Sequence, residues 1–227
     1  QMNDLGFGAC LADDMGLGKT IQVISFLEKM YENNKESHVL LIVPASLLGN
    51  WSKEIDKFAP RMTYHILHGK TNILDEDCFA TITTYGMALR MECLQERVWD
   101  CLILDEAQAI KNPATKQTRA IKKIPSQMRI AMTGTPIEND LSNLWSLFDF
   151  LNKGLLGSAT DFKNYTKKVQ AYPEYITKLK MMVSPFILRR LKTDKSIISD
   201  LPDKMEITEH VDLSKRQIVL YRKEVEK

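Results

Sequence analysis

The sequence predicts an α/β fold in which helices flank a mostly parallel central sheet. Several short runs are wholly apolar, such as Val39–Val43 and Cys101–Leu104, and strands of this kind are buried on both faces. Longer stretches with apolar residues at helical spacing alternate with these runs. Alternating strands and helices are typical of βαβ units, which place parallel strands side by side. We find no internal repeat and no low-complexity segment.

The elements of this fold are predicted over the first 151 residues. The predicted strands are Ala9–Ala12, Val39–Val43, Phe79–Thr83, Trp99–Leu104 and Arg129–Met132. The predicted helices are Gly18–Tyr31, Leu47–Phe58, a helix that opens at Asn112-Pro113, and Leu141–Leu151. Asparagine is a favoured N-cap and proline is favoured in the first turn, which sets the start of the third helix.

The pattern changes after Leu151. Residues 158–183 are polar and predicted to be helical, residues 192–203 are loop-like, residues 205–211 alternate like a strand, and residues 213–227 are predicted to form a helix. We therefore expect a main domain over residues 1–151 and an appended helical and connecting region over residues 152–227.

Charge, cysteine spacing and the lack of long apolar runs limit the classes of protein to which this sequence can belong. The net charge is only +2, from 31 basic and 29 acidic residues, so any nucleic-acid surface has to be a local patch. The four cysteines, Cys10, Cys78, Cys93 and Cys101, show no metal-ligand spacing. We expect buried free thiols in a reducing compartment. No signal pattern and no apolar run of membrane-spanning length occurs, so a cytoplasmic location is expected, associated with the nucleoid if the source is bacterial.

A glycine-rich loop lies between the first strand and the first helix. It reads Asp13-Asp14-Met15-Gly16-Leu17-Gly18-Lys19-Thr20, and its last three residues match the end of the phosphate-loop pattern. Glycines let backbone N–H groups approach phosphate oxygens. Lys19 would reach the β and γ phosphates of ATP, and the Thr20 hydroxyl would ligate magnesium. Asp13 replaces the first glycine of the pattern, and a ligand-free turn is the alternative.

Two acids follow an apolar strand at Asp105 and Glu106. The carboxyl end of a strand in an open α/β sheet is where ligands bind. Asp105 is expected to hold magnesium, and Glu106 is expected to polarise the attacking water as a general base. Adjacent acids after a strand are common at surfaces, but their place downstream of a phosphate loop favours the catalytic interpretation.

A third strand runs into the polar turn Thr133-Gly134-Thr135-Pro136. Hydroxyls and a glycine at a strand end could sense the state of the γ-phosphate and relay it. Taken by itself, this segment favours an ordinary strand-to-loop turn.

These segments together resemble the helicase-like ATPases of superfamily two, and in particular the Snf family of chromatin remodellers and DNA translocases. The matching segments are Leu11–Gln22, Pro44–Leu47 with Asn50-Trp51, Thr83–Tyr85, Asp105–Gln108 with Ile110–Asn112, Thr133–Asn139, Phe186–Arg190 and Leu201–Lys204. An acid in place of the first glycine is usual in that family. Asp105–Gln108, followed by Ile110–Asn112, looks more like the bacterial and archaeal members of that family than like its nucleosome sliders.

The resemblance implies a RecA-like fold and a two-lobed motor. It implies binding of ATP and magnesium, translocation on duplex DNA without strand separation, and coupling through Gln108, Thr133, Gly134 and Thr135. A protein bound to that DNA is a further partner that the resemblance leaves open. The second lobe with its arginine fingers lies outside this sequence, as does the family's adenine-reading glutamine. We therefore expect residues 1–227 alone to fold but to show almost no turnover.

The resemblance also implies where DNA binds. Pro44, Ser46, Thr83, Thr84 and Tyr85 match the family's strand-contacting motifs, and small hydroxyls suit phosphate contacts. Trp51 is interpreted as core packing on a helix face. The basic run Lys116, Arg119, Lys122 and Lys123 is either a solvated face or a phosphate-tracking patch.

Two other functions remain open at this point. An RNA helicase of the same superfamily would share the box motifs, and stimulation by RNA or by duplex DNA would distinguish them. A non-catalytic nucleotide-binding scaffold is the third candidate, although intact Lys19, Asp105 and Glu106 argue against it.

Overall fold

The computed structural model describes residues 6–69, 73–134, 141–172, 174–194 and 214–225. These residues fall into two compact units, one up to Lys192 and the other from Thr193 onward. Within the second unit, the described element is a helix over Lys215–Val225. The division after residue 151 into a lobe and an extension stays a prediction. The expected strand over residues 205–211 and most of the expected loop before it lie outside the described residues.

A parallel sheet of seven strands forms the centre of the first unit. The strands are β1 (Ala9–Leu11), β2 (Val39–Val43), β3 (Tyr64–Leu67), β4 (Ala80–Thr84), β5 (Trp99–Leu104), β6 (Ser126–Met132) and β7 (Ile187–Leu188). Their order across the sheet is β3-β4-β2-β5-β6-β1-β7, and the described strand pairs are all parallel. The predicted fold class is confirmed.

Helices cover both faces of this sheet. They are α1 (Lys19–Asn33), α2 (Leu48–Phe58), α3 (Tyr85–Arg90), α4 (Cys93–Glu96), α5 (Lys116–Lys123), α6 (Leu141–Leu151), α7 (Ala159–Ala171) and α8 (Glu174–Val183), and the helix of the second unit is α9 (Lys215–Val225). Short 3-10 turns precede α2, follow β5 and follow α8.

Strand β2 shows how the core is divided between the two faces. Its five residues are fully buried, and successive side chains of a strand point to opposite faces. Leu40 and Ile42 belong to one apolar cluster, which includes residues of α3, α5 and α6. Val39, Leu41 and Val43 belong to the other, which includes residues of α1 and α2. A wholly apolar run thus reflects burial on both sides of the sheet.

A smaller third cluster joins α6 to α7 and α8. Leu144 and Phe148 of α6 are buried against Phe162 of α7 and Leu179 of α8. The residues that follow α8 return to the sheet, because Ile187 and Leu188 pair with β1. This return places Arg190 beside the glycine-rich loop, where Arg190 N–H lies 2.9 Å from Asp13 Oδ1.

The structure corrects three sequence expectations. Strand β3 was not predicted, and β7 is a strand where only a connecting segment was expected. The helix predicted to open at Asn112-Pro113 begins instead at Lys116, with the Thr115 side chain accepting the N–H of Thr118 as cap. The helical stretch expected over residues 158–183 consists of α7 and α8. Among the described residues, no helix is both long and apolar enough to span a membrane.

Candidate active site

The glycine-rich loop joins the carboxyl end of β1 to the start of α1. Gly16 and Gly18 have φ angles of 85° and 73°, a left-handed region that favours glycine. Gly18 is the N-cap of α1, and no side chain caps this helix. The first N–H groups of α1 therefore face the loop without a side-chain partner, which is the arrangement that binds anionic phosphates.

Lys19 is folded onto this loop. Its Nζ donates to the Asp13 carbonyl at 2.7 Å and lies 3.4 Å from the Asp14 carbonyl. Strand β1, which precedes this loop, and β5, which precedes the acid pair, both run parallel to β6 between them. Because the carboxyl ends of parallel strands lie at one edge of a sheet, the loop with Lys19 and the acid pair lie at the same edge.

Asp13, which replaces the first glycine of the phosphate-loop pattern, is held by Arg190. The Asp13 side chain is fully buried. Arg190 Nε lies 3.2 and 3.1 Å from its two oxygens, Nη2 donates to Oδ2 as well, and Gln22 Nε2 adds a bond of 3.2 Å. Burial would raise the pKa of Asp13, but these hydrogen bonds and the Arg190 charge outweigh it, so the pKa lies below its ordinary value. The Asp13 side chain therefore tethers the loop to the segment after β7.

Asp105 stands at the end of β5 and is oriented by a donor at each carboxylate oxygen. The indole Nε1 of Trp51 donates to Oδ2 at 2.8 Å, and the backbone N–H of Glu106 donates to Oδ1 at 3.0 Å. Burial raises the pKa of Asp105, while the Trp51 hydrogen bond opposes the shift. An ionised carboxylate has about four acceptor positions, so roughly half remain for a magnesium ion.

Glu106 has an unusual backbone conformation. Its φ of 51° is positive, and among the described residues no other non-glycine residue has a positive φ. Its Oε2 accepts Gln108 Nε2 at 2.7 Å, and Gln108 Oε1 accepts the Thr133 hydroxyl at 3.1 Å. A chain of hydrogen bonds therefore connects the candidate general base to the end of β6.

The Tyr85 hydroxyl contacts the backbone of the acid pair from the face of the sheet opposite to Trp51. It donates to the Asp105 carbonyl at 2.7 Å, with the Glu106 carbonyl 3.4 Å away. Burial, and then the nearby charges of Asp105 and Glu106, raise the pKa of Tyr85 well above its ordinary value. The hydroxyl consequently stays protonated and acts as a donor.

The residues predicted to contact DNA fall into two groups. Ser46 is exposed and Pro44 is half-buried, directly after the carboxyl end of β2. Thr83, Thr84 and Tyr85 are buried, and the two threonine side chains have internal partners: Thr83 donates to the Leu67 carbonyl, and Thr84 caps α3. A DNA contact by any of the five stays a prediction, and for the buried three it would have to involve the backbone or a rearrangement.

Trp51 packs in the core, as predicted, but the sequence did not reveal its hydrogen bond to Asp105. Arg190 was named only as part of a connecting segment.

The basic residues of α5 differ in exposure. Lys122 pairs with Asp149 at 2.8 Å and is largely buried, whereas Lys116 and Lys123 are exposed. Gly134 follows Thr133 at the end of β6, and Thr135 lies outside the described residues.

The cysteines are free, and Cys10 and Cys101 are buried as predicted, whereas Cys78 and Cys93 are half-buried. Burial raises the pKa of Cys10 and of Cys101 to about 12. Burial therefore favours the protonated thiol at both positions near neutral pH, as is typical of structural rather than nucleophilic cysteines.

A parallel α/β sheet with a glycine loop opening α1 and an acid pair following β5 is the RecA-like fold of the P-loop ATPases. Comparison with known proteins then gives the family. The sequence model of the SNF2-related domain matches residues 2–227, and the chain belongs to that family.

Relatives come from bacteria, archaea and eukaryotes. The chain is 42% identical over 232 residues to YwqA of Bacillus subtilis, whose name assigns it provisionally as an ATP-dependent helicase/translocase, with 97% of this chain and 25% of that protein covered. It is 38% identical over 216 residues to the human DNA excision repair protein ERCC-6-like, covering 82% of this chain and 17% of that protein.

A solved structure is also similar. The Sulfolobus solfataricus SWI2/SNF2 ATPase core in complex with dsDNA is 47% identical, with a TM-score of 0.83, and covers 99% of this chain and 49% of that one. The chain thus spans about half of that ATPase core and a quarter or less of the two named relatives.

Proposed function

We propose that this chain is the ATP-binding lobe of a motor that moves along duplex DNA and hydrolyses ATP to ADP and phosphate with magnesium. The observation that carries the proposal is the convergence of three strand ends. Lys19 follows β1, Asp105 and Glu106 follow β5, and Thr133 follows β6, and these three parallel strands are neighbours in the sheet, so their carboxyl ends lie at one edge. Gln108 joins Glu106 to Thr133 by hydrogen bonds.

Each group has a role that its surroundings support. The backbone N–H groups at the start of α1 and the Lys19 ammonium bind the phosphates. Thr20 and Asp105 hold magnesium, which neutralises charge on the phosphates when bound. Glu106 accepts a proton from the attacking water, and Gln108 holds the carboxylate in place through the bond of 2.7 Å. The other predicted loop residues, Asp14, Met15 and Leu17, contribute backbone to the cradle.

Duplex DNA is the partner that the family favours. The Sulfolobus relative is an ATPase core in complex with dsDNA, and Ser46 offers an exposed hydroxyl beside the carboxyl end of β2. A second RecA-like lobe would complete the site with arginines, whose loss costs about 10³–10⁵ in rate in related phosphoryl-transfer enzymes. This chain alone is therefore expected to turn over ATP very slowly.

The test is ATP hydrolysis by the intact protein with and without duplex DNA, and with RNA as the competing activator. Lys19→Ala should weaken ATP binding, because each charge-assisted hydrogen bond contributes about 1.5–3 kcal/mol. Glu106→Gln should keep nucleotide and DNA binding but slow hydrolysis by roughly 10²–10⁴-fold. Lys29→Ala, at an exposed position on the same helix α1, is the matched control and should behave as wild type.

Wild-type turnover in Lys19→Ala would refute the phosphate-loop assignment. Stimulation by RNA but not by duplex DNA would move the chain to the RNA-dependent branch of the superfamily. Nucleotide binding without turnover in the intact protein would support the scaffold interpretation.

A further inference from the structure

Two buried tryptophans differ in the partner of their indole N–H. Trp51 and Trp99 are each 1% exposed. Trp99 Nε1 donates to the backbone carbonyl of Leu94 at 3.0 Å, whereas Trp51 Nε1 donates to the side chain of Asp105 at 2.8 Å. A buried indole needs an acceptor, and Trp99 shows that a carbonyl is enough. The bond from Trp51 to a carboxylate is stronger, and it orients an acid at the end of β5.

Tyr85 acts on the backbone of the same acid pair. Its hydroxyl donates to the Asp105 carbonyl, next to Glu106 with its φ of 51°. A non-glycine residue in this left-handed region is strained and persists only where surrounding contacts hold it. Tyr85 therefore helps to fix the direction in which the Glu106 side chain leaves the backbone.

Both donors belong to segments that the family resemblance connects with DNA. Trp51 ends the Pro44–Trp51 segment and lies on α2, directly after the exposed turn that carries Ser46. Tyr85 ends the Thr83–Tyr85 segment and begins α3. Hydrogen bonds weaken steeply with distance and angle, so any shift of α2 or α3 would change how Trp51 and Tyr85 hold Asp105 and Glu106.

We propose that Trp51 and Tyr85 are positioning residues that couple the DNA-binding side of the lobe to the acid pair. Trp51 orients the Asp105 carboxylate for magnesium, and Tyr85 orients Glu106 for the attacking water. The inference rests on the proposed function, since it takes Asp105 as a magnesium ligand and DNA as the activator. It adds two side chains that need not touch nucleotide, metal or DNA.

The test removes one hydrogen-bond donor at a time from the intact protein. Trp51→Phe is compared with Trp99→Phe, and Tyr85→Phe is compared with Tyr165→Phe. The second control is matched because the Tyr165 hydroxyl also donates to a backbone carbonyl at 2.8 Å, that of Tyr175, in the layer of α7 and α8. Replacing Trp51 by 3-benzothienylalanine, which keeps the bicyclic shape but has no N–H, separates the lost bond from lost volume.

Two readouts are used. Magnesium is titrated into each variant with a fluorescent, non-hydrolysable ATP analogue, and steady-state hydrolysis is measured with and without duplex DNA. Both Trp51 replacements should raise the magnesium concentration for half-saturation by roughly 10-fold, as expected for a partner that orients a metal ligand. Tyr85→Phe should keep that concentration but lower the DNA-stimulated kcat. Trp99→Phe and Tyr165→Phe should match wild type in both.

The inference is overturned if Trp51 replacements and Trp99→Phe show the same magnesium dependence and the same stimulation by DNA. The titration needs no turnover, so it tests the Trp51 bond even if hydrolysis fails. A wild-type protein that binds magnesium and ATP but is not stimulated by DNA would overturn the coupling and the proposed motor function together. Wild-type stimulation with variants equal to their controls would overturn the coupling alone.

Discussion

Removal of the Arg190 side chain would leave a buried carboxylate without its main partner. In Arg190→Ala, the fully buried Asp13 keeps Gln22 Nε2 at 3.2 Å and the backbone N–H of residue 190 at 2.9 Å. It loses the guanidinium, which contacts both carboxylate oxygens. Arg189, the exposed neighbour, provides the control Arg189→Ala.

The expected loss of stability follows from the exposure of the two partners. Breaking a buried ion pair by removing one partner costs about 3–5 kcal/mol, whereas exposed pairs contribute about 0–1 kcal/mol. The Arg190 side chain is 36% exposed and that of Asp13 is 0% exposed, so water screens one partner only. We expect Arg190→Ala to lower the free energy of unfolding by about 2–3 kcal/mol. Arg190→Lys, which keeps the charge but loses the planar fork, should lower it by about half as much.

Urea unfolding of the chain at several pH values measures this effect. The folded pKa of Asp13 lies below its ordinary value of 3.8, so its contribution to stability is complete above that pH and is lost as the pH falls through the lower, folded pKa. In Arg190→Ala, burial dominates, and protonation of Asp13 relieves the cost. The gap between wild type and variant should therefore shrink with acidification. A loss no larger than that of Arg189→Ala at neutral pH would refute the reasoning.

Three further predictions concern packing at Gly8, the ion pair of Lys122 and the exposed basic residues of α5. Gly8→Ala should lower the free energy of unfolding by roughly 2–3 kcal/mol, because a Cβ there would lie 2.6 Å from the Leu151 carbonyl oxygen. Gly49→Ala is the control, because a Cβ at that position would have nothing within 4 Å. Equal urea midpoints for the two variants would contradict the prediction. Lys122→Ala should destabilise the fold, because it removes the partner of Asp149. Alanine at the other basic positions of α5, which are Lys116, Arg119 and Lys123, should lower the affinity for DNA and flatten its salt dependence. If the slope of affinity against salt is unchanged, these three residues form a solvated face.

The sequence predicted the buried centre of the fold well. Strands β2 and β5 and helix α6 have the predicted bounds. In β2, an apolar run without polar interruption fits a central strand covered by helices on both faces, so the local signal and the tertiary environment agree. Helix α6 has a wide apolar stripe because it packs on the sheet with one side and on α7 with the other.

The edges of the sheet were the hardest part to predict. Among the described strands, β3 pairs only with β4. Of its residues only Leu67 is buried, so neither alternation nor an apolar run marks it. Strand β7 has two residues, too few for any period. At α5, Asn112 and Thr115 are both cap-forming residues: Asn112 accepts the N–H of Ala114 in a local turn, and Thr115 caps the helix. Residue type alone does not choose between them.

The sequence named the chemical groups of the candidate site but not what holds them. Lys19, Asp105 and Glu106 were found because loop and strand-end patterns are local. Trp51 lies 54 positions from Asp105, and Arg190 lies 177 positions from Asp13. No periodicity spans such distances, and these contacts arise only when the parallel strands are placed in order.

The left-handed backbone of Glu106 lies just after β5, which neighbours β6 in the sheet. Strand β6 lies between β5 and β1. Thr133, at the end of β6, donates its hydroxyl to Gln108 after β5 and its backbone N–H to the carbonyl of Leu11 in β1. Glu106 lies two residues after the end of β5, and its left-handed backbone conformation accompanies the bond of 2.7 Å from Gln108 to its side chain. Glycine would adopt this conformation at lower cost, but glycine has no carboxylate. With glutamate at this position, the side chain accepts the Gln108 hydrogen bond and is available for the general-base role proposed above. Tyr85 and Gln108 supply contacts that offset its conformational cost of roughly 1–2 kcal/mol.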